Sequence, residues 1–368
     1  MKTQSSLIFA GIFAAATLLA LHQAGACTGI ALKAKNGDVV CGRTMEWGSF
    51  DINSNVLVIP RGEKFSATVN VPEPFKWTGV YGVVGFSAFG TSYLADGANE
   101  KGLVVGGFYH PGYAQYAKLS PENSARAISP DDVILYLLST SKNVDDACAN
   151  LRKISVVNEV DKNLGIVIPI HLMLTEPSGR QVVVEWSGGE PKLFAADDTR
   201  VITNSPEYSW HVTNLSNFLN LQPVASVPRK FDELTIAPLG GGSGMLGLPG
   251  DFTPPSRFVR AFTFTKTARP LPDGAEAVYE LFRILDNFNL PLGSAEGAGA
   301  ERLKGLRSST AWTSGYDLAN RKLYYHTQHD RQLQLVDIGR INFDKLDKTI
   351  TIPLGNKFQS FKDKTPEI

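Results

Sequence analysis

The residues around Cys27 constrain this chain more than any other feature. Cys27 directly follows Ala24-Gly25-Ala26, a small-x-small cleavage site. Ahead of it lie a start carrying Lys2, an apolar run over 7–21, and a polar step at His22-Gln23. This is the layout of a secretory signal peptide. The run is too short to cross a bilayer as a helix, which takes about 20 residues. The expected arrangement is therefore a signal peptide over 1–26 and a mature chain over 27–368, exported to the periplasm or secreted. Cleavage after Ala26 would put a cysteine at the mature terminus. One residue would then carry both a thiol nucleophile and a free α-amine with a reference pKa of about 7.7–8.0. Two other readings compete: an acylated lipoprotein cysteine, and a buried small hydrophobe. Ala24 stands where lipoprotein sites favour a larger aliphatic residue.

Composition narrows the field. Lys and Arg (36) balance Asp and Glu (36), so the formal charge is zero. Nothing in that balance points to nucleic acid or an anionic membrane surface. Three cysteines, Cys27, Cys41 and Cys148, are too few for a disulfide scaffold in an exported chain. Cys41 and Cys148 are read as buried and free, with pairing as the alternative. No repeat or linker is evident, which favours one domain.

Asn36-Gly37 sits between two apolar runs, a strong hairpin signal because a type I′ turn needs φ > 0 at both central residues. A two-residue turn there pairs Lys35 with Asp38. Carried outward, that register sets Cys27 opposite Glu46, with Cβ atoms about 4.5–5.5 Å apart. It turns Arg43 to the other face unless a bulge or strand end near Thr44 brings it back. Glu46 is then placed to hold the α-amine, and a returned Arg43 to lower the thiol pKa. The plainer alternative is an exposed cross-strand ion pair. Further strands are expected over 56–59, 103–108, 166–174, 181–186, 200–203, 322–326, 333–337 and 349–352. Helices are expected over 133–138 behind Ser129-Pro130-Asp131-Asp132, over 144–151 behind Asn143, and over 256–267 and 275–288. Strands gather at both ends with helices between them, which favours α+β layers over βαβ units.

Gly242-Ser243-Gly244-Met245-Leu246-Gly247 spells GxGxxG, but Leu248-Pro249-Gly250 follows instead of a helix, so a loop near a pocket is the reading. His326 and His329 would point to opposite faces of a strand, so no metal is expected. Asn204 ends a strand, as turn residue or as oxyanion donor. Arg257 opens a helix, against the dipole, and so points at something anionic.

Together these segments resemble the choloylglycine hydrolase family, which contains bile salt hydrolases and penicillin V acylases. The resemblance rests on Cys27-Thr28-Gly29, Gly42-Arg43-Thr44-Met45-Glu46-Trp47 and the run from Asp96 to Leu103. It continues through Phe108-Tyr109-His110-Pro111-Gly112, Val201-Ile202-Thr203-Asn204-Ser205-Pro206 with Trp210-His211, and Gly247 to Asp251 with Ser256-Arg257-Phe258. It implies an N-terminal-nucleophile hydrolase of four αββα layers. Cys27 is then the nucleophile and its α-amine the proton acceptor. Arg43 and Arg257 match the family's active-site arginines, Asn204 and the backbone N–H of Tyr109 its oxyanion donors. Glu46 stands where the family has aspartate, which leaves its role least defined. The chemistry implied needs no cofactor. The expected substrate is a small acylated amide, penicillin V or an acyl homoserine lactone, because Tyr109 and the signal peptide resemble the exported Gram-negative branch. Conjugated bile salts are the alternative, and an inactive exported binding protein a remote one. Trp47 and Phe50 are candidates for an aromatic acyl wall, or for plain core. The resemblance also implies a homo-oligomer, a tetramer, with no nucleic-acid or membrane partner after signal cleavage.

Overall fold

The computed structural model describes residues 26–48, 52–162, 164–295 and 308–360. The expected signal segment, apart from Ala26, and Phe50 lie outside the described residues. Two antiparallel sheets stack face to face. The first runs Val201–Ile202, β1 (Thr28–Lys33), β2 (Val39–Trp47), Ser309–Asp317, Lys322–Thr327, Gln334–Asp337. The second runs Glu190–Ala195, Gln181–Ser187, Ile170–Thr175, Val104–Tyr109, Leu94–Asn99, Val83–Ser87, Asn55–Ile59, Ile350–Pro353.

Helices cover the outer faces. The helices α1 (Val133–Thr140) and α2 (Val144–Leu151) pack under the second sheet, and α4 (Pro254–Thr267) and α5 (Gly274–Leu285) over the first. A short α3 (Tyr208–Asn214) packs beside α4. The order is helix, sheet, sheet, helix: the expected αββα sandwich. Strand residues alternate between two cores. Val104, Phe108, Met173 and Val183 enter the core shared by the sheets, α4 and α5; Val105, Leu172, Leu174 and Val184 enter the core under α1 and α2. Strands buried on both faces read as continuous apolar runs, which is why they were legible. Cys41 and Cys148 lie in different cores, both free.

The local signals act much as expected, with shifts. Asn143 caps α2 by accepting from Asp146 N at 2.9 Å. Asp273 caps α5 by accepting from Glu276 N at 3.0 Å. Ser129 does not cap α1; a 3-10 turn, Pro130–Asp132, intervenes and the serine hydroxyl donates to Asp132 Oδ2 at 3.1 Å.

The first hairpin differs from its expected register by one residue. Ala34 N donates to Asp38 O at 2.8 Å, so the loop holds three residues, Lys35, Asn36 and Gly37. Gly37 takes φ +95°, the left-handed position that closes such a loop. Thr28 therefore pairs with Thr44 and Gly29 with Arg43, and one further step aligns Cys27 with Met45, not Glu46. A one-residue slip turns every side chain to the other face. Cys27 and Arg43 thus share the inner face, and Glu46 turns toward the α4–α5 layer. The expected facing of both Arg43 and Glu46 is reversed.

Ser309–Asp317, the strand that pairs with β2 along nearly its whole length, is absent from the sequence expectations. Its sequence, STAWTSGYD, is polar although every residue is buried. Two of its hydroxyls serve buried carboxylates. Thr310 Oγ1 donates to Glu46 Oε1 at 2.8 Å, and Ser314 Oγ to Asp96 Oδ2 at 2.5 Å. A bulge between Thr310 and Trp312 sets Thr310 opposite Glu46.

Candidate active site

Cys27 is 2 % exposed, at the entry to β1, and its Sγ lies 3.9 Å from Glu46 O. The peptide joining it to Thr28 is gripped from both sides. The Arg257 guanidinium donates to Cys27 O, and to Thr28 Oγ1 at 2.9 Å. On the opposite edge, Thr28 N donates to Thr44 Oγ1 at 3.2 Å, and that hydroxyl donates to Glu46 Oε2 at 3.0 Å. Glu46 therefore holds the Cys27–Thr28 peptide through Thr44 instead of facing Cys27 across the hairpin.

Arg257 is fully buried in the first turn of α4. Its Nη2 donates to Asn204 Oδ1 at 2.6 Å and its Nε to Phe252 O at 2.9 Å. The cation tolerated against the helix dipole is thus spent on carbonyl oxygens at the site. Burial lowers its pKa to about 10, opposed chiefly by the Glu46 charge. Arginine can only donate, so the Asn204 amide must turn its oxygen to Arg257 and its nitrogen the other way. That nitrogen donates to Tyr109 O at 2.8 Å, which leaves its second hydrogen for a ligand. His211 Nε2 meets Asn204 O at 3.0 Å, and burial pushes the imidazole down to about 4, so the ring is neutral and donates there. Asn204 is thereby fixed through both its side chain and its backbone.

Glu46 is wholly buried. Burial pushes its pKa up to about 7, against the pull of Arg257 and the two threonine hydroxyls. Arg43, 2 % exposed, lies on the Phe108 ring at 4.4 Å. Its nitrogens donate to the carbonyls of Thr44, Ala95 and Gly107 and to Met45 Sδ.

Cys27 opens into a pocket. Arg43, Met45 and Trp47 line one wall, as alternate residues of a single strand must. Trp47 packs edge-on to Phe89 at 5.1 Å and Tyr109 at 5.4 Å, so it serves both as wall and as packing. Pro130 and Asp131 from the turn ahead of α1, and Ile134 from α1, close the far side with Ile168 and Ile170. Sequence reading brought Cys27, Arg43, Tyr109, Asn204, Arg257 and Trp47 to one place. It missed Thr28, Thr44, Thr310 and Asp131, although Thr28 and Thr44 stand inside the segments that carried the resemblance.

The GxGxxG run forms a 3-10 turn, Ser243–Met245, inside a loop. His326 and His329 do not converge on a shared ligand; His326 Nδ1 meets Arg331 Nη1 at 3.1 Å. Among the described residues, His110, His171 and Glu185 bring three ligand-type atoms together. The two imidazoles are stacked, however, with centroids 4.0 Å apart and planes 11° apart. A bound ion lies in the plane of each imidazole, and one ion cannot lie in two parallel planes held a ring's thickness apart. The cluster is a hydrogen-bonded one, with His171 linking Glu185 Oε1 and Thr203 O.

An αββα sandwich with a buried cysteine opening its first strand into an apolar pocket is the N-terminal-nucleophile hydrolase fold. The family model of linear amide C–N hydrolases, the choloylglycine hydrolase family, matches residues 27–351. The chain belongs to that family and is a hydrolase of linear amide C–N bonds. It is 31 % identical to a bile salt hydrolase/transferase of Clostridium perfringens, over 91 % of this chain and 96 % of that one. It is 26 % identical to a penicillin V acylase of Pectobacterium atrosepticum, over 83 % and 78 % respectively. The crystal structure of a mutant conjugated bile acid hydrolase from Clostridium perfringens superposes with a TM-score of 0.80 at 29 % identity, over 92 % of this chain and all of that one.

Proposed function

We propose that the exported protein, trimmed after Ala26, is an acylase for small acylated amides that uses Cys27 as an N-terminal nucleophile. The observation that carries this reading is the double grip on the Cys27–Thr28 peptide, with a pocket on the thiol side. The thiol attacks the amide carbonyl and its proton passes to the α-amine. The oxyanion takes the remaining Asn204 N–H and the Tyr109 backbone N–H, donors worth about 3–4 kcal/mol each in comparable sites. Arg43 and Arg257 supply positive charge beside the cysteine. The C–N bond breaks as the α-amine returns the proton to the leaving amine. Water then attacks the thioester, its proton again passing to the α-amine, and the acid and thiol are released.

The test uses three forms of the protein: one starting at Cys27, one carrying an uncleavable Gly-Ser ahead of it, and Cys27→Ala. Intact mass fixes each terminus, and hydrolysis is measured alongside. Only the first should be active, since an amide nitrogen cannot act as base. An extended form of confirmed mass with full activity would falsify the α-amine mechanism. Activity of the first form should fall on acidification, as the amine becomes protonated.

For the substrate, Tyr109 and the segments that resemble the exported branch support penicillin V and acyl homoserine lactones. The likeness to the Clostridium perfringens bile salt hydrolase/transferase supports conjugated bile salts as the second reading. Side-by-side kcat/KM for penicillin V and taurocholate decides. We expect at least about a tenfold advantage for penicillin V, about 1.4 kcal/mol of barrier; parity or the reverse would favour bile salts.

A further inference from the structure

The pocket that holds Cys27 contains a second charged side chain besides Arg43. Asp131 sits in the 3-10 turn ahead of α1, is 8 % exposed, and lines the pocket wall. Its neighbour Asp132 shows what a satisfied buried carboxylate looks like here. Asp132 Oδ2 accepts from Thr68 N at 2.7 Å, Thr68 Oγ1 at 2.6 Å and Ser129 Oγ at 3.1 Å. Among the described residues, no hydrogen bond or ion pair reaches the Asp131 carboxylate. The charged groups that act on it are Asp161, Asp132 and Glu159, all acidic. Burial first, and then these like charges, push its pKa up to about 7. Arg43 does not help it, since its hydrogen bonds go to carbonyls and a sulfur and none reaches Asp131. Nor does Tyr93, the polar neighbour in the same wall, since no hydrogen bond joins its hydroxyl to Asp131.

The Asp131 carboxylate opens to the pocket, so a group that enters there can supply the donor that the protein does not. The part of the wall beside Asp131 is largely aliphatic: Pro130, Ile134, Ile168 and Ile170. An apolar cavity with one convergent polar group is how a binding site fixes a ligand's orientation. We propose that Asp131 is a specificity-determining residue that accepts a hydrogen bond from a hydroxyl or ammonium group on the acyl portion of the substrate. The aliphatic wall takes the hydrocarbon part of that acyl group, and the carboxylate sets how far it enters. Among acyl groups of one skeleton and length, it favours those that carry the donor over those that leave the carboxylate unpaired. This deepens the acylase reading and depends on it.

The test is a set of amides sharing one leaving amine and one acyl length, unsubstituted or bearing a hydroxyl or an amino group at successive carbons. The mature protein, Asp131→Asn and Asp131→Leu are compared. The native protein should prefer one hydroxyl or amino position by at least about tenfold in kcat/KM over the unsubstituted amide. Asp131→Leu should lose that preference and hydrolyse the unsubstituted amide faster. Asp131→Asn should keep a hydroxyl preference and lose an amino one, which separates the two donor types. Calorimetric binding of the same ligands to Cys27→Ala should show the same order without turnover. If Asp131→Leu misfolds, the Asn variant and the binding series decide alone. An unchanged preference in Asp131→Leu, or no preferred position in the native protein while amides are cleaved, overturns the assignment of Asp131 alone. A native protein that cleaves no amide overturns the acylase reading, and this proposal with it.

Discussion

At the scale of single residues, this site spends its charges on holding backbone. Arg257 grips Cys27 O and the Asn204 amide, so removing it leaves two buried acceptors without donors. Arg257→Leu should cost about 3–5 kcal/mol in chemical denaturation and abolish hydrolysis, as expected when one partner of a buried polar set is removed. Arg257→Lys restores the charge without the planar fork and should recover stability better than turnover. Glu46 titrates. Its folded pKa of about 7 lies above its ordinary 4.5, so the folded state binds more protons than the unfolded chain between those values. Its contribution to stability is therefore greatest in acid and falls as pH rises from 4.5 to 7, by about 3 kcal/mol in all. Asp131 should act in the same direction over the range 3.8 to 7. Glu46→Gln should flatten the pH dependence of the urea midpoint, and lower kcat because the grip on Thr28 N through Thr44 loosens. An unchanged slope would mean that Glu46 is ionised throughout.

At the scale of elements, one loop decides which face of β2 meets the thiol. Three residues between Ala34 and Asp38, closed by Gly37 at φ +95°, put Arg43, Met45 and Trp47 inside and Glu46 behind. The loop is also tied to the start of α5: Lys35 N donates to Leu271 O at 2.8 Å and Gly274 N to Asp38 Oδ2 at 3.0 Å. Gly37→Ala forces a side chain into the left-handed region where only a glycine is unstrained, and nothing stands within 4 Å to clash with it. The expected result is a loss of about 1 kcal/mol in the urea midpoint with hydrolysis unchanged. A larger loss with reduced kcat would show that the loop also controls register. Asn36-Gly37 announced the turn, but turn length is set by closure against Asp38 and α5, which a dipeptide cannot specify. The strand Ser309–Asp317 was hidden for a different reason. Its buried threonine and serine hydroxyls serve carboxylates more than 200 residues away in sequence, at separations of 264 and 218, so the strand carries no apolar alternation to read.

At the scale of the whole molecule, the two sheets and their helices bring together residues from four distant stretches. Cys27 is 230 residues from the arginine that holds it, and Asn204 is 95 from the carbonyl that its amide meets. By itself the sequence determined the αββα class, the family and the roster that gathers at Cys27. Buried strands and capped helices announce themselves locally, and short motifs survive as written. Only the tertiary structure decided which way each member of that roster faces, which carboxylate is backed by hydroxyls, and which one stands in the pocket wall. Facing depends on a register that shifts by a single residue, and satisfaction of a buried polar group depends on partners that only folding brings near.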